Sequence, residues 1–352
     1  MSNYSPEDLE HFATALLTAG GFAPDHAEQT AKVLVWANAR GADSHGVLRI
    51  PRYLEMVKQG TINPAAKPTV IKRDGAVAIL DADRAPGATS MVTAMAEAID
   101  IASQLGVGWC SARSITHAGA VGYYALEAAQ RGYVGIVMSA SSPLMAYHGS
   151  SVSGVSTNPI TIAAPSGERP LLLDMSTSTV ALGKIFQARD AGTAIPDTWG
   201  VDDQGRPTTD PAEVATLTPL GGPKGSGLSL MIEVLSSLLV SNPVISEALE
   251  GNKAGMNGLA MAIRVSAFID LTLFKAEVDR LATNIRALPR SEGTDSILMP
   301  GERGFQTAEQ RHRDGIPLAA GTQEKLAALA EELGVAMLQP VSKASVPKAD
   351  IQ

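Results

Sequence analysis

"GVGWCSARS", residues 106–114, decides what kind of α/β protein this chain builds. A Rossmann dinucleotide turn reads G-x-G-x-x-G between a strand and a helix. Here Ser111 stands where the third Gly belongs, and no helix follows at once. The run therefore reads as a strand, and the Rossmann fingerprint is rejected. "GGPKGSG" (221–227) fails as a P-loop, because Lys224 precedes its Gly and the four-residue spacer is absent. A Gly-rich lead into a helix can still hold an anion at the helix N-terminus. On spacing alone, an ordinary loop before a helix explains it equally well.

Working outward from that strand, elements alternate. Upstream, "TVIKRDGAVAILDAD" (69–83) reads as a β-hairpin with Asp74-Gly75 in a type I′ turn. An Ala-rich helix covers roughly 87–104. Downstream come a helix at 121–131 and short apolar strands at 134–140, 160–165 and 171–176, as in a sheet buried on both faces. "KGSGLSLMIEVLSSLLV" (224–240) is an apolar helix and "NGLAMAIRV" (257–265) a further strand. Both ends of the chain are helical. Ser5 caps a helix that has Pro6 at its first position, and Leu9, Phe12, Ala13, Leu16 and Leu17 share one face. A second helix runs from Asp25 to about Ala39, and others lie at 272–286 and 323–333. The expected division is a helical part over 1–68, an α/β core over 69–270, and C-terminal helices over 271–352 that pack with the N-terminal part and end in a flexible tail from about 341.

Of 352 residues, 45% are hydrophobic, 18% charged and 4% aromatic, which reads as a globular chain with Gly- and Ala-rich, closely packed layers. A net charge of −8 with no basic stripe argues against nucleic acid as a partner. Cys110 is the only cysteine, so no intrachain disulfide or cysteine metal cluster can form. The six His, at 11, 26, 45, 117, 148 and 312, lack the spacing of a zinc site, and no metal is expected. The N-terminus has no signal-peptide pattern and no apolar run approaches a membrane span, so a cytoplasmic location is expected.

The densest chemistry lies in "ADSHGVLRIPRY" (42–53). Asp43, Ser44 and His45 resemble a hydrolase triad written in a row. Adjacent residues seldom adopt triad geometry, and no G-x-S-x-G elbow exists. His45 has a different use. An imidazole exchanges protons at neutral pH, and a guanidinium four residues on, at Arg49, can clamp a carboxylate. That pairing suits reduction of a 2-oxo acid. Asp43 and Ser44 as mere helix caps, with solvated Arg residues, are an equal reading of the same spacing. His117, in "SITHAGAVGYY", sits in a Gly-rich turn before a helix, where spacing alone favours hydrogen bonds to backbone. Asp174 ends a strand and leads into "MSTST", hydroxyls and N–H groups at the strand end where α/β proteins gather ligands. Lys184 follows as a buried cation near substrate or a surface lysine.

Six runs in order, "DSHGVLRIPRY", "HAGAVGYY", "STNPITIAAP", "LLLDMSTSTVALGKI", "KGSGLSLMIEVLS" and "LMPGERG", resemble the type-2 malate/L-lactate dehydrogenase family, over residues 40 to about 304. The last helical run, "RDGIPLAAGTQEKLAALAEELG", also looks like that family's C-terminus. The resemblance implies a non-Rossmann α/β fold with a mixed sheet, flanking helices and a helical layer from both termini. It implies a homodimer with the active site near the interface, NAD or NADP as cofactor, and a small carboxylate as substrate; composition adds the expectation of no nucleic acid or membrane partner. By resemblance His45 is the acid/base residue supported by Ser44, with Lys184 and His117 also catalytic candidates. Arg49 and Arg52 would bind substrate. His117, Ser139, Asn158, Asp174, Met175, Ser176, Thr177, Lys224, Gly225 and Arg303 match cofactor-contacting positions. The family also holds reductases of cyclic imino acids, such as piperideine- or pyrroline-2-carboxylate, which is the alternative substrate class. A nucleotide-binding sensor without catalysis is the rival outside enzymes. Two departures stand out: "AIRVSAF" with Arg264 replaces an acidic residue and Pro, and "SSPLMAYHGSS" replaces a more polar run.

Overall fold

A computed structural model describes residues 2–341. The tail expected from about 341 lies, from 342 on, outside the described residues. The chain forms two compact units, one from residues up to Ala65 together with those from Gly301 on, the other from Ala66–Pro300.

The first unit is helical. Pro6–Ala19 starts as its sequence dictates, with the Ser5 hydroxyl accepting the Asp8 N–H at 3.3 Å. Pro24–Ala39, Ile50–Lys58 and Ala320–Leu333 follow, and an antiparallel ribbon joins Ser2–Tyr4 to Ile316–Leu318. Leu9, Leu16, Leu17, Leu34 and Ile50 are wholly buried in its core, each worth roughly 1.5–3 kcal/mol. One helix, Glu302–Asp314, was not foreseen in the sequence. None of its residues is buried, so it carries no apolar stripe to read.

The second unit is built on a seven-stranded mixed sheet. Its order is Thr69–Asp74, Val77–Asp81, Val107–Ile115, Met256–Arg264, Tyr133–Ala140, Ile160–Ala164, Leu171–Met175. Only the pair of Val77–Asp81 and Val107–Ile115 is parallel. The "GVG" run is explained here. Gly106, at φ +86°, closes the helix Gly87–Leu105, and a Cβ on Gly108 would lie 1.9 Å from the Ala98 carbonyl oxygen of that helix. Helix precedes strand, the reverse of a dinucleotide turn.

Burial on the two sheet faces is uneven. One face carries Gly108, Cys110, Ala112, Gly135, Val137, Ala260 and Ala262, all buried. Helices Gly87–Leu105 and Gly122–Gln130 lie on it, and a Cβ on Gly135 would sit 2.5 Å from the Ala125 carbonyl oxygen. The other face carries Trp109, Ile136, Met138, Ile160, Ile162 and Met261, half-buried, around the buried Leu259 and Ser111. The strands read as continuous apolar runs because small residues on one face alternate with large ones on the other.

Two further expectations shift. In the hairpin, Asp74 pairs with Val77, so Gly75 and Ala76 form the loop. Only Gly75 has positive φ, which fits a type II′ turn and not type I′. Residues 271–300 fall in the second unit, not with the C-terminal helices. Asp279, on Leu271–Arg286, accepts the Gly167 N–H at 3.0 Å, which ties that helix there. A small sheet of Gly200–Val201, Thr216–Leu217, Met145–Ala146 and Ser153–Val155 completes this unit over its own core of Met145, Ile185 and Leu217. Among the described residues, no helix is long and apolar enough to cross a membrane.

Candidate active site

The Asp43–Arg49 segment is two successive 3₁₀ turns, Asp43–His45 and Val47–Arg49, leading into the helix Ile50–Lys58. Short 3₁₀ turns have poor intrinsic stability, so side chains must hold them. Asn38, at the end of Pro24–Ala39 and 2% exposed, does so twice. Its Oδ1 accepts the Val47 N–H at 2.8 Å, and its Nδ2 donates to Asp43 Oδ1 at 2.7 Å. Arg311 grips the same carboxylate, its Nη1 donating to Asp43 Oδ1 at 2.7 Å and its Nη2 to Oδ2 at 3.2 Å.

Within the turn, Ser44 Oγ lies 3.0 Å from His45 Nδ1. The adjacent residues meet because the 3₁₀ turn folds the serine back onto the ring. The triad still fails. A triad serine engages Nε2 and its Asp engages Nδ1, whereas here Nδ1 faces the serine and Asp43 is committed to Asn38 and Arg311. Arg49 Nε donates to the Ser44 carbonyl at 2.7 Å. Among the described residues its terminal nitrogens have no further hydrogen-bond partner. Arg52 pairs with Glu55 at 2.6 Å on an exposed helix surface. His45 is only partly accessible to solvent; desolvation first, then the Arg49 charge, push its pKa down to about 4. Burial drives the Tyr53 hydroxyl well above its ordinary range, with Arg49 opposing. Arg303 lies exposed in the first turn of Glu302–Asp314.

In the second unit, strand register collects the other candidates at one end of the large sheet. Ile115 faces Met256, Ala140 faces Asn257, Met138 faces Ile160, and Ile160 faces Met175. His117, Ser139, Asn158 and Asp174–Thr177 therefore share that end. Asn257 and Asn242, not singled out in the sequence, hold it together with the expected Ser139 and Asn158. Asn257 Oδ1 accepts the Ser114 N–H at 3.0 Å and the Asn242 Nδ2 at 2.8 Å. The Asn257 carbonyl accepts the Ser139 hydroxyl at 3.1 Å. Asn158, fully buried, accepts the Ser141 N–H and donates to the Ser229 carbonyl, each at 3.1 Å. The His117 carbonyl closes against the start of helix Gly87–Leu105, where a Cβ on Gly87 would come within 2.2 Å of it.

Asp174 accepts the Thr161 hydroxyl at 2.8 Å. The N-terminus of the helix Pro223–Ser236 is pressed onto the loop beyond it: a Cβ on Gly225 would lie 2.4 Å from the Thr177 carbonyl oxygen. Lys224 is exposed beside that N-terminus, and the Thr177 Oγ1 is buried without a hydrogen-bond partner. Lys184 is exposed on Leu182–Ala191. Arg264 stands at the opposite end of its strand, paired with Tyr133, and its Nη1 donates to the Ser103 carbonyl at 2.9 Å. That sequence departure lies away from this cluster.

The family model described as malate/L-lactate dehydrogenase matches residues 4–327. The chain belongs to that family. It is 36% identical to a malate dehydrogenase of Pyrococcus horikoshii over 94% of this chain and 95% of the relative. It is 36% identical to a ureidoglycolate dehydrogenase (NAD(+)) of Escherichia coli O157:H7, over 89% of this chain and 92% of the relative. Among solved structures, a malate dehydrogenase from Entamoeba histolytica superposes with a TM-score of 0.90 at 29% identity, covering 95% of this chain and 99% of that one. This malate/L-lactate dehydrogenase family member is an oxidoreductase with a mixed α/β fold outside the Rossmann class.

Proposed function

We propose that the chain interconverts a small 2-oxo acid and its 2-hydroxy acid, with NAD or NADP as cofactor. The observation that carries the reading is the turn in which His45 and Arg49 are both tied to Ser44, one to its hydroxyl and one to its carbonyl. A proton-exchanging group and a carboxylate clamp are thereby fixed by one residue. Arg49 holds the substrate carboxylate with its terminal nitrogens. His45, uncharged at neutral pH, takes the hydroxyl proton at Nε2 during oxidation. Nδ1 then donates to Ser44 Oγ, which sets the tautomer. In reduction, the arriving carboxylate offsets the Arg49 charge that depresses His45, and so favours the protonated ring.

The dinucleotide fits the second unit's sheet end. Two features support this: the orphaned, buried Thr177 hydroxyl and the helix N-terminus brought against the same loop at Gly225. His117, Ser139, Asn158, Asp174, Met175, Ser176, Thr177, Lys224 and Gly225 would hold it. Bound nicotinamide supplies or accepts hydride at the substrate carbon. The reading extends to a homodimer, supported by the half-buried apolar face around Trp109, Ile136 and Ile162, and to a cytoplasmic location.

The test is a panel of 2-oxo acids and cyclic imino acids with NADH and NADPH, with sedimentation of the purified protein alongside. His45→Ala should lower kcat sharply and Arg49→Ala should mainly raise KM. Turnover of imino acids alone would move the substrate assignment to that class. Wild-type kcat in His45→Ala would remove His45 from the proton step.

A further inference from the structure

We propose that Arg311 is a positioning residue for the reaction: by gripping Asp43 it fixes the turn that carries His45 and Arg49. The inference rests on the roles of His45 and Arg49 proposed above.

Three of the ties on this turn are local. Asn38 bonds Val47 and Asp43, and Arg49 bonds Ser44, all within nine residues along the chain. The tie from Arg311 comes from 268 residues away. It is bidentate, so it fixes the orientation of the carboxylate as well as its place. Arg311 Nη1 also donates to the Asn38 carbonyl, so it grips both the Asp and the Asn that hold the turn.

Little of this arginine's helix is apolar and packed. That helix, Glu302–Asp314, buries none of its residues. Beyond the half-buried Ala308 that packs on the helical core, the helix is held by polar and cation–π contacts: Arg311 to Asp43, Arg40 to the Gly301 carbonyl at 3.2 Å, and Arg40 over the Phe305 ring at 4.1 Å. The Arg311 side chain is 16% exposed and that of Asp43 35%, so solvent screens their contact only in part. Asp43 in turn is one residue from Ser44, which touches both His45 and Arg49. A displaced Asp43 shifts the imidazole and the guanidinium together, and small misplacements of reacting groups are costly in rate.

The experiment compares Arg311→Met, Arg311→Lys, Asp43→Asn and the Arg311→Met/Asp43→Asn pair, each purified as the full chain. Steady-state kcat and KM are measured with the best 2-oxo acid of the panel, and nicotinamide affinity by fluorescence titration. Arg311→Met should lose about tenfold to a hundredfold in kcat while nicotinamide affinity stays within about twofold. Added guanidinium ion should restore part of that loss, and Arg311→Lys should fall between Met and wild type because it supplies one contact instead of two. The double variant should be no worse than the worse single one. Should Arg311→Met not fold, Arg311→Lys and Asp43→Asn carry the same expectation. A folded Arg311→Met or Asp43→Asn with wild-type kcat overturns the proposal while leaving the active-site reading intact. Full activity in His45→Ala instead overturns the reading beneath it.

Discussion

Asn38 and Gly46 touch so closely that a Cβ on Gly46 would lie 2.1 Å from Asn38 Oδ1, the atom that accepts the Val47 N–H. Gly46 has φ −91° and ψ −158°, a conformation any residue can adopt. The glycine is therefore needed for space and not for backbone freedom. Gly46→Ala must push the Asn38 amide away and break its bonds to Val47 and Asp43. Overpacking of this kind costs about 1–3 kcal/mol. A lowered urea midpoint is expected together with a fall in kcat. An unchanged midpoint and kcat would show that the turn tolerates the methyl.

His45 gives a pH prediction with a definite sign. Its folded-state pKa, about 4, lies below the ordinary value of 6.5. The base form is therefore present throughout neutral and mildly acid pH. The kcat/KM for hydroxy-acid oxidation should be flat down to about pH 5 and fall below it as the ring protonates. For stability, the unfolded chain binds more protons than the folded one between the two values. Stability from this group is complete above pH 6.5 and is lost as pH falls through about 4. A kcat/KM profile that bends near 6.5 would assign the proton step to a different group.

The parts of this protein that were legible in sequence are those written in local pattern. Pro6 after Ser5 and the Leu9, Leu16, Leu17 spacing state a helix outright, and the structure has it at Pro6–Ala19. The absence of a Rossmann turn was also local, since Ser111 sits inside a strand. Glu302–Asp314 stayed hidden because its polar residues show their purpose only in contacts such as Arg311 with Asp43. Spacing alone rejects a triad at Ser44 and His45, but the contact of Ser44 with His45 Nδ1 depends on a 3₁₀ turn that spacing does not reveal. The motifs of the second unit were each visible, but their meeting at one sheet end depends on antiparallel register, as Met138 facing Ile160 and Ile160 facing Met175.

Gly225 tests the proposed dinucleotide site. Its missing side chain lets the N-terminus of Pro223–Ser236 approach the Thr177 carbonyl and both backbone atoms of Leu220. Gly225→Ala would place a methyl 2.4 Å from the Thr177 oxygen and 2.5 Å from the Leu220 nitrogen. Neither is a flexible side-chain end, so helix and loop must part. Nicotinamide affinity should drop by about tenfold or more, equal to 1.4 kcal/mol or more, with a smaller change in Arg49-dependent substrate KM. Calorimetric titration with NADH and NADPH reads this directly. Wild-type affinity in a folded variant would take the dinucleotide away from this helix end.

Asn257 should be the most costly single side chain at the sheet end. It is fully buried, and its amide holds Ser114, whose φ of +54° is a strained left-handed setting for a serine. Its Nδ2 donates to the Asn242 carbonyl at 2.7 Å, and its Oδ1 accepts from Asn242 as well. Asn257→Ala leaves the Ser114 N–H and both Asn242 groups without these partners. Unsatisfied buried groups cost about 1–3 kcal/mol each, so a loss of about 2–4 kcal/mol is expected after partial relaxation. Because Ser114 lies in the strand Val107–Ile115, three residues before His117, nicotinamide affinity should fall too. Chemical denaturation and calorimetric titration of the same preparation separate the two effects. A variant that unfolds at the wild-type urea midpoint would mean that water replaces the amide without cost, and that Ser114 keeps its conformation unaided.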